Sequence, residues 1–432
     1  MNISDLKNSI DPVKTGQELH SLIGKLYPIC RSITGSGLRQ TLDILKHNIP
    51  LQIHEVPSGT KVFDWVVPKE WNINDAYIKD SAGEKVVDFK KSNLHILNYS
   101  MPINKTVNLQ ELREHLFTLP DHPDWVPYKT SYYKENWGFC LSHKQFLNLT
   151  DANYNVFIDA KLEDGSLSYG ELYLEGREKA EILISCHACH PSLANDNLSG
   201  VLVASLLAER LSTISHRYSY RFLFIPGTIG AITWLAINEE KTVNIKHGLV
   251  LSGVGDRGNV TYKKSRLGNA QIDHAAYHVM KHSADKCDII DFYPYGYDER
   301  QYCSPGFNLP VGCFSRTPYG KYPEYHTSAD NLGFVAPECL SDSFIKIISI
   351  FEVLEENFNY LNLHPKCEPQ LGRRGLYTAT GPDEMAMLWV LNLSDGNNTL
   401  LDIAEKAGLK FETVLRAAKI LCENNLLKKA IV

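Results

Sequence analysis

The fold is decided by residues 181–211, EILISCHACHPSLANDNLSGVLVASLLAERL. The apolar stretch ILISC runs up to His187 and is typical of a strand that is buried on both faces of a sheet. A short polar loop follows, and Asp196 lies just before a long apolar stretch from Leu198 to Leu211 that suits a helix. These residues predict an α/β domain in which His187 and Asp196 lie at the carboxyl end of a strand, where open sheets bind their ligands.

The same pattern continues along the chain. Short apolar strands such as YRFLFIP and HGLVLSGVG alternate with helical stretches, which predicts a mixed, mostly parallel sheet flanked by helices. A helix over KIISIFEVLEENFNYL closes this domain near residue 361, and two amphipathic helices form its start. We therefore assign residues 1–50 and 129–361 to one α/β domain.

Two smaller modules complete the predicted organisation. Residues 51–128 alternate β-branched and aromatic residues with polar ones between turn signals such as PSG and SAG, which predicts an inserted β-rich domain. The stretch HPKCEPQLGRRGLYTATGPD reads as a linker. Three short helices and a wing strand in LLKKAIV then predict a winged helix-turn-helix over residues 366–432.

The composition is that of an ordinary globular protein. Of the 432 residues, 44% are apolar and 22% are charged, which excludes a disordered or collagen-like chain. The first residues lack the segments of a signal peptide, and no run of about 18 apolar residues occurs. Ten irregularly spaced cysteines are then expected to be thiols. We expect a cytoplasmic protein without a membrane partner.

The charge of the tail argues against a role in DNA binding. The whole chain carries a net charge of −6, and from Asp383 onward seven acidic residues stand against six basic ones. DNA binding usually needs a basic face that holds phosphates. We therefore expect no nucleic-acid partner and interpret the winged helix as a packing or homo-oligomerisation module.

A second motif, PEYHTSADNL, places His326 in a late loop of the same domain. Imidazole and carboxylate groups suit zinc, and metal-assisted hydrolysis requires such ligands. His326 thus joins His187 and Asp196 in a candidate metal site. In the structural alternative, Asp196 only caps the following helix and His187 is a core histidine.

The motifs ANDNLSG and YHTSAD resemble the metal motifs of the zinc aminopeptidase superfamily, metalloproteases that cut single residues from peptide N-termini. The resemblance implies an aminopeptidase-like fold and zinc ligands at His187, Asp196 and His326. The whole chain, with RSITGSGLR near its start, an inserted β module and a winged helix, is also similar to a bacterial family described as aminopeptidase-like.

Four residues in and around that superfamily's metal site are altered, and three of the usual five metal-site positions remain. Gly227 and Thr228 stand where the superfamily has a Glu-Glu pair, Ser252 stands in place of one Asp, and Cys189 stands in place of another. The remaining three positions suffice for one zinc ion with an open coordination position. His190 is a competing ligand.

The loss of the Glu-Glu pair removes the superfamily's general base, so another group must accept the proton. Glu324, in the His326 motif, and Glu299, in the loop GYDERQYCSPGFNLPVG, are the candidate catalytic residues. Arg300 and Arg31 are the candidate substrate-binding residues, because a guanidinium can hold a carboxylate through a forked contact. An exposed glutamate and a structural arginine are the alternatives.

Together these features predict a zinc-dependent hydrolase of an amide bond, acting on a small peptide or an acylated amino compound. A metal amidase or deacylase that is not a peptidase is one alternative. The other is a catalytically inactive aminopeptidase fold that binds a ligand and acts as a regulatory protein.

Overall fold

The structure is a computed structural model that describes residues 2–376 and 382–430. Its helices are, in chain order, α1 (Ile3–Asn8), α2 (Pro12–Leu26), α3 (Ser36–Lys46), α4 (Leu109–Arg113), α5 (His143–Leu147), α6 (Gly200–Leu211), α7 (Ile229–Ile237), α8 (Gln271–Lys281), α9 (Glu299–Tyr302), α10 (Pro337–Glu356), α11 (Pro382–Leu393), α12 (Leu400–Ala407) and α13 (Phe411–Glu423). Its strands are β1 (Gln52–Pro57), β2 (Lys61–Val62), β3 (Trp65–Val66), β4 (Glu70–Lys79), β5 (Lys85–Asp88), β6 (Ile103–Asn108), β7 (Leu116–Phe117), β8 (Phe139–Cys140), β9 (Asn153–Glu163), β10 (Ser166–Leu174), β11 (Glu181–His187), β12 (Ser219–Ile225), β13 (Ile245–Leu251), β14 (Val260–Lys263), β15 (Cys287–Ile290), β16 (Val311–Ser315), β17 (Asn359–Asn362), β18 (Asp395–Thr399) and β19 (Leu427–Lys429).

An eight-stranded sheet forms the centre of the α/β domain, in the order β1-β10-β12-β11-β13-β16-β14-β15. The inner strands β12, β11, β13 and β16 run parallel, whereas β1, β10 and β14 pair in antiparallel fashion. The predicted mixed, mostly parallel sheet flanked by helices is therefore confirmed. Because β11 lies in the parallel part, its carboxyl end opens onto the crevice above the sheet.

The strand β11 is central because both of its faces are buried. All seven of its residues are buried. Ile182 and Ile184 pack in the core that contains α6, whereas Leu183 packs in the core that contains α7. Fully burying each such side chain stabilises the fold by roughly 1.5–3 kcal/mol. Because both faces of the strand are buried, the position at which the strand ends and the loop after His187 begins is fixed.

The N-terminal helices complete one face of the domain. Helix α2 packs against α10, and a Cβ atom on Gly16 would lie 2.2 Å from the carbonyl oxygen of Pro337. Only glycine allows the two helices to approach this closely. Helix α2 therefore packs directly on the α/β domain, and the assignment of residues 1–50 to that domain stays a prediction.

The smaller sheet has other limits than the predicted range 51–128. Its order is β5-β4-β9-β6, so it takes in β9 at Asn153–Glu163. In contrast, β1 pairs with β10 in the large sheet. The physical reason lies in the burial pattern: β9 is buried at alternate positions, as in a sheet with one solvent face, whereas most of β10 is buried on both faces. The chain passes from one sheet to the other at residues 164–165.

The C-terminal module is a winged helix, as predicted, but it begins earlier than residue 366. The predicted closing helix ends at Glu356, and the next strand, β17, pairs with β18 and β19 in the wing sheet. The side chain of Asn357 explains the break, since its Oδ1 accepts the backbone N–H of Leu401 and ties the helix end to the module. Residues 377–381 of the predicted linker and 431–432 of the wing segment lie outside the described residues.

Two expectations concern the chain as a whole. All ten cysteines carry free thiols. Among the described helices, none combines the length and the apolar character that a membrane crossing demands.

Candidate metal centre

Three side chains singled out by the sequence meet at the carboxyl end of β11. His187 ends that strand, and its Nε2 lies 2.8 Å from Oδ1 of Asp196. Nε2 of His326 lies 3.0 Å from the other carboxylate oxygen of Asp196. His187 and Asp196 are buried, and His326 is partly exposed. The Asp196 carboxylate therefore stands between two imidazoles, one at each oxygen.

A fourth side chain, His190, approaches the same carboxylate. Its Nδ1 lies 3.7 Å from Oδ1 of Asp196, and one ligand atom from each of His187, His190 and Asp196 lies within 4.8 Å of the other two. Burial lowers the pKa of His190 to about 3, although the charge of Asp196 opposes this shift. The ring is thus neutral at pH 7, which is the form that binds metals.

The polar atoms around Asp196 fit a zinc ion. Three buried polar atoms at this point lack hydrogen-bond partners: Nδ1 of His190, Oδ2 of Asp196 and Nε2 of His326. The last two atoms lie 3.0 Å apart, but they are not aligned as a hydrogen bond. Leaving one buried polar group unpaired costs about 1–3 kcal/mol. Imidazole nitrogens and a carboxylate oxygen are ligands that zinc prefers. A cation held between them would satisfy all three atoms.

The backbone of the Asp196 loop is fixed by Asp330. One oxygen of this buried carboxylate accepts the N–H of Asn195 at 2.6 Å, and the other accepts the N–H of Asp196 at 2.9 Å. Asp330 lies four residues after His326 in the same motif. The loop of His326 therefore supplies a candidate ligand, and through Asp330 it also holds the loop that carries Asp196.

The asparagines on either side of Asp196 tie the same loop to the end of β13. Oδ1 of Asn195 accepts the N–H of Gly255 at 2.9 Å, and its Nδ2 donates to Asp256 at 3.0 Å. Nδ2 of Asn197 donates to the carbonyl of Leu251 at 2.9 Å. Asp256 is thus engaged in holding this loop.

The His326 loop is held by the end of the inserted region. The N–H of Tyr128 donates to the carbonyl of His326 at 2.7 Å. Val126 and Ser328 exchange two hydrogen bonds, at 3.0 Å and 2.8 Å. His326 itself has a φ of 56°, a left-handed conformation that is uncommon outside glycine. These contacts keep the residue in that conformation with its ring toward Asp196.

A carboxylate that the sequence analysis passed over lies beside the altered Glu-Glu position. The N–H of Thr228 donates to Oδ1 of Asp298 at 2.6 Å. The second oxygen of Asp298 is buried and has no hydrogen-bond partner. Burial is the main reason why the pKa of Asp298 is raised to about 6. The side chain lines the same cavity as His187 and His190.

The two glutamates expected to act as bases lie elsewhere. Glu299 is fully buried and pairs with Nζ of Lys263 at 2.8 Å. Glu324 is partly exposed, and its backbone carbonyl accepts two hydrogen bonds from Thr327. Neither residue is among the described residues that line the cavity. The order of residues in GYDER does not tell which carboxylate faces the metal site, so Asp298 could not be chosen over Glu299 from the sequence.

The two candidate substrate-binding arginines have different surroundings. Arg300 lines the cavity, donates through Nη2 to Thr228 Oγ1 at 3.2 Å, and keeps its Nε without a partner. Arg31 is buried, and its Nε donates to the carbonyl of His190 at 2.7 Å. Burial lowers the pKa of Arg31 to about 10. Arg31 therefore supports the His190 loop from behind, and its guanidinium is not in the cavity wall.

The cavity over these groups has a volume of about 430 Å³. It reaches His187 and His190 at its base. Its walls are rich in aromatic rings, and three of them are more than one-third exposed, which gives the opening an aromatic rim of Trp65, Tyr133 and Tyr295. Such a mixed cavity, with few polar groups at its base, is typical of a small-molecule site.

Comparison with known families assigns both parts of the chain. Residues 20–357 match the family model described as "Domain of unknown function (DUF4910)", and residues 358–429 match the model described as winged helix-turn-helix. A curated relative from Clostridium acetobutylicum is 53% identical over 421 residues, which cover 96% of this chain and 97% of that protein. It is named "Putative polysaccharide biosynthesis protein with aminopeptidase-like domain".

Comparison with solved structures gives the fold. A crystal structure of a "putative peptidase" from Clostridium acetobutylicum has a TM-score of 0.96 at 52% identity and covers 99% of this chain and 100% of that one. The zinc aminopeptidase BSAP from Bacillus subtilis has a TM-score of 0.56 at 11% identity, covering 78% and 93%. A Peptidase M28 precursor from Shewanella amazonensis gives 0.54 at 12%, covering 82% and 95%. The expected aminopeptidase-like fold is thus confirmed.

Proposed function

This chain belongs to the DUF4910 family and carries a winged helix-turn-helix behind that domain, and on this premise we propose that it is a zinc-dependent hydrolase of an amide bond. The fold and the names of its relatives support a peptidase-like hydrolase. The observation that carries the finer proposal is the convergence of unpartnered imidazole and carboxylate atoms around Asp196.

In this proposal His187, Asp196 and His326 hold one zinc ion, and His190 is placed to join them or to orient a water. When bound, zinc supplies Lewis-acid chemistry, which polarises a carbonyl group and makes water more acidic. Asp330 and Arg31 act through the backbone, since they fix the loops that present Asp196 and His190. Such supporting contacts commonly tune metal affinity 10–100-fold, as an order of magnitude.

We assign the general-base role to Asp298. Its free Oδ2 lies in the wall of the cavity, and its Oδ1 is anchored by the N–H of Thr228, so the carboxylate has one oxygen for structure and one for proton transfer. A pKa near 6 leaves most of the group ionised at pH 7 and able to accept a proton. Gly227 places no side chain beside His187. A Cβ atom at this position would lie 3.5 Å from Cβ of His187.

The substrate is a short peptide or an acylated amino compound. Arg300 can bind a carboxylate of the substrate through its unpartnered Nε, and the aromatic rim can cover an apolar or ring-shaped group. The Clostridium acetobutylicum relative is named for polysaccharide biosynthesis, which supports an acylated amino sugar as the second candidate substrate. A deacylase of that kind would use the same groups at the base of the cavity.

The winged helix serves in this proposal as a packing module. Helix α13 occupies the place of a recognition helix, which reads DNA through its N-terminal residues. Here Phe411 is buried and donates its N–H to Nε2 of His278 at 3.0 Å, and the exposed Glu412 pairs with Lys7 at 2.6 Å. The start of α13 is therefore engaged by the α/β domain, which supports the packing role.

Metal analysis and a substrate panel test this function. We expect the purified protein to retain about one zinc per chain, His187→Ala to lose it, and wild type to cleave either aminoacyl anilides or N-acyl amino sugars. Activity on anilides supports the peptidase form, and activity confined to N-acyl compounds supports the deacylase form. Zinc retention without turnover of either class would favour a ligand-binding protein. A chain that neither retains nor binds zinc would refute the proposal.

A further inference from the structure

A second cavity, larger than the one at the metal centre, lies on the other side of the ligand loops. Its volume is about 680 Å³, and it is bounded by residues 27–40, the start of β4 and residues 89–94. It touches the loops of the metal centre only from behind, through Ser192 and Ser328. Among the described residues, the two cavities share no lining residue. The second cavity is therefore a separate compartment.

The wall of this second cavity is cationic, although the chain has a net charge of −6. Lys90 and Lys91 belong to the wall, and none of the described lining residues is acidic. The ammonium of Lys90 is fixed by the carbonyl of Asn74 and lies 5.7 Å from the ring centre of Phe89. Its other N–H donors are left for a ligand. A wall with two cations and no carboxylate attracts an anion.

The start of α3 adds a second attraction for an anion. Ser36 and Gly37, in the first turn of this 11-residue helix, line the cavity, and Oδ1 of Asn72 accepts the N–H of Ser36 at 2.7 Å. The dipole at a helix start favours negative charge. Gly35 allows the chain to enter the helix here, since its φ is 95° and a Cβ would lie 2.1 Å from the carbonyl oxygen of Trp71.

A buried amide in the cavity wall indicates that the ligand carries a hydrogen-bond donor in addition to an anionic group. Asn93 lies in the cavity wall and is only 8% exposed. Its Nδ2 donates to the carbonyl of Pro28 at 3.2 Å, which fixes the amide orientation, and its Oδ1 has no hydrogen-bond partner. A buried acceptor of this kind needs a donor, and an anion alone brings none. A ligand hydroxyl group would supply it.

We propose that the second cavity binds a small anion that also carries hydroxyl groups, namely a sugar phosphate or a sugar acid. Its phosphate or carboxylate lies by Lys90, Lys91 and the start of α3, and one hydroxyl donates to Oδ1 of Asn93. The side chains of Gln40 and Ser92 supply further polar contacts for hydroxyl groups. This site is independent of the metal centre and of the hydrolase function proposed above.

Calorimetric titration of the full chain tests the proposal with four probes: glucose 6-phosphate, glucuronate, glucose and inorganic phosphate. We expect one of the two anionic sugars to bind at least tenfold more tightly than both glucose and phosphate. Preference for glucose 6-phosphate identifies a phosphate site, and preference for glucuronate identifies a carboxylate site. Failure of both anionic sugars to bind overturns the proposal, and so does phosphate binding as tightly as glucose 6-phosphate.

Variants locate the binding. Exchanging both exposed lysines, Lys90→Gln with Lys91→Gln, should weaken the preferred probe at least tenfold, and Asn93→Leu should do the same. Lys161→Gln removes one exposed charge from the same small sheet outside the cavity and should leave the affinity unchanged. His187→Ala should also leave it unchanged. Unchanged affinity in the double lysine variant, or loss of binding in His187→Ala, would place the ligand elsewhere and refute the site.

Discussion

Oδ1 of Asp298 accepts the backbone N–H of Thr228 at 2.6 Å, so a carboxylate from a distant loop reaches the strand end where zinc aminopeptidases carry a Glu-Glu pair. The altered residues at 227 and 228 thus leave an acidic group in the vicinity of His187. In our proposal the base has moved to another segment of the chain, and three predictions follow from Asp298 alone.

The first concerns activity. Asp298→Asn keeps an oxygen that can accept the N–H of Thr228 but cannot take a proton, so kcat should fall by about 10²–10⁴-fold. Zinc content should stay at the wild-type level. Asp121→Asn, an exposed loop acid, is the matched control. If Glu324→Gln or Glu299→Gln shows the larger loss instead, the base is one of the glutamates expected from the sequence.

The pH profile of kcat/KM gives the second test. Burial raises the pKa of Asp298 to about 6, and only the ionised form accepts a proton. Activity should therefore fall as the pH drops through the pKa of Asp298. A cation bound nearby lowers this pKa, which places the limb at about 6 or below. The limb should be absent from the residual activity of Asp298→Asn; its persistence there would assign it to another group.

Stability should change in the opposite direction to activity. The pKa of Asp298 is raised from 3.8 to about 6 on folding, so the folded state binds more protons between these values and the ionised group destabilises it above them. In chelator-treated protein at pH 7, Asp298→Asn should raise the free energy of unfolding by up to about 3 kcal/mol. The gain should vanish below about pH 4. Denaturant titration at both pH values measures it, and an equal difference at both would contradict the assigned shift.

Asp330 offers a test of the support around Asp196. Asp330→Asn replaces one of two accepting oxygens by an NH₂ group, so one of the N–H groups of Asn195 and Asp196 loses its acceptor. Zinc affinity, measured by competition with a chelator, should fall about 10–100-fold. Glu338→Gln, an exposed change nearby on α10, should leave it unaltered. Equal affinities in the two variants would show that the Asp196 loop holds its shape unaided.

The docking of the winged helix should weaken in acid. His278 accepts the N–H of Phe411 through Nε2, and burial lowers its pKa from 6.5 to about 4, with His282 and Lys281 acting in the same sense and Glu412 opposing. The folded state therefore favours the neutral ring, and this stabilisation is present above pH 6.5 and is lost as the pH falls toward 4. The protection factors of the α13 amides, which correct the exchange rates for the intrinsic effect of pH, should fall over that range.

The His278→Gln variant keeps an accepting oxygen without the titration, so the protection factors of its α13 amides should depend less on acid. Lys410 also acts on His282, and Lys7 pairs with Glu412, so both charges stay in place in this comparison. Equal acid sensitivity in wild type and variant would assign the change to those neighbours.

The sequence predicts the large sheet because its strands carry their own signal. An unbroken apolar run such as 222–226 can be stable only between two covered faces, and the loop after His187 must then lie at the strand end. The convergence of His187, Asp196 and His326 is expected from motif resemblance, and both imidazoles lie within contact of the Asp196 carboxylate. Their role as zinc ligands stays a prediction.

Features that depend on long-range packing could not be read from the sequence. The choice of Asp298 over Glu299 depends on the orientation of the short helix α9. Lys263, which lies 36 positions earlier in the chain, pairs with the Glu299 carboxylate. The small sheet likewise recruits β9 through pairings with β4 and β6 that no local pattern specifies. Local alternation indicates a strand, but it does not name the partner strand.

Under the zinc proposal, the hydrogen bonds from Val126 and Tyr128 to the His326 loop give the inserted region a part in metal retention, although it supplies none of the proposed ligands. A chain whose insert is unfolded or nicked would leave His326 free to relax from its left-handed conformation. Under the zinc proposal, such a chain would release its ion with every ligand residue intact. Metal occupancy would then report the integrity of a distant segment, so that only fully assembled molecules become loaded.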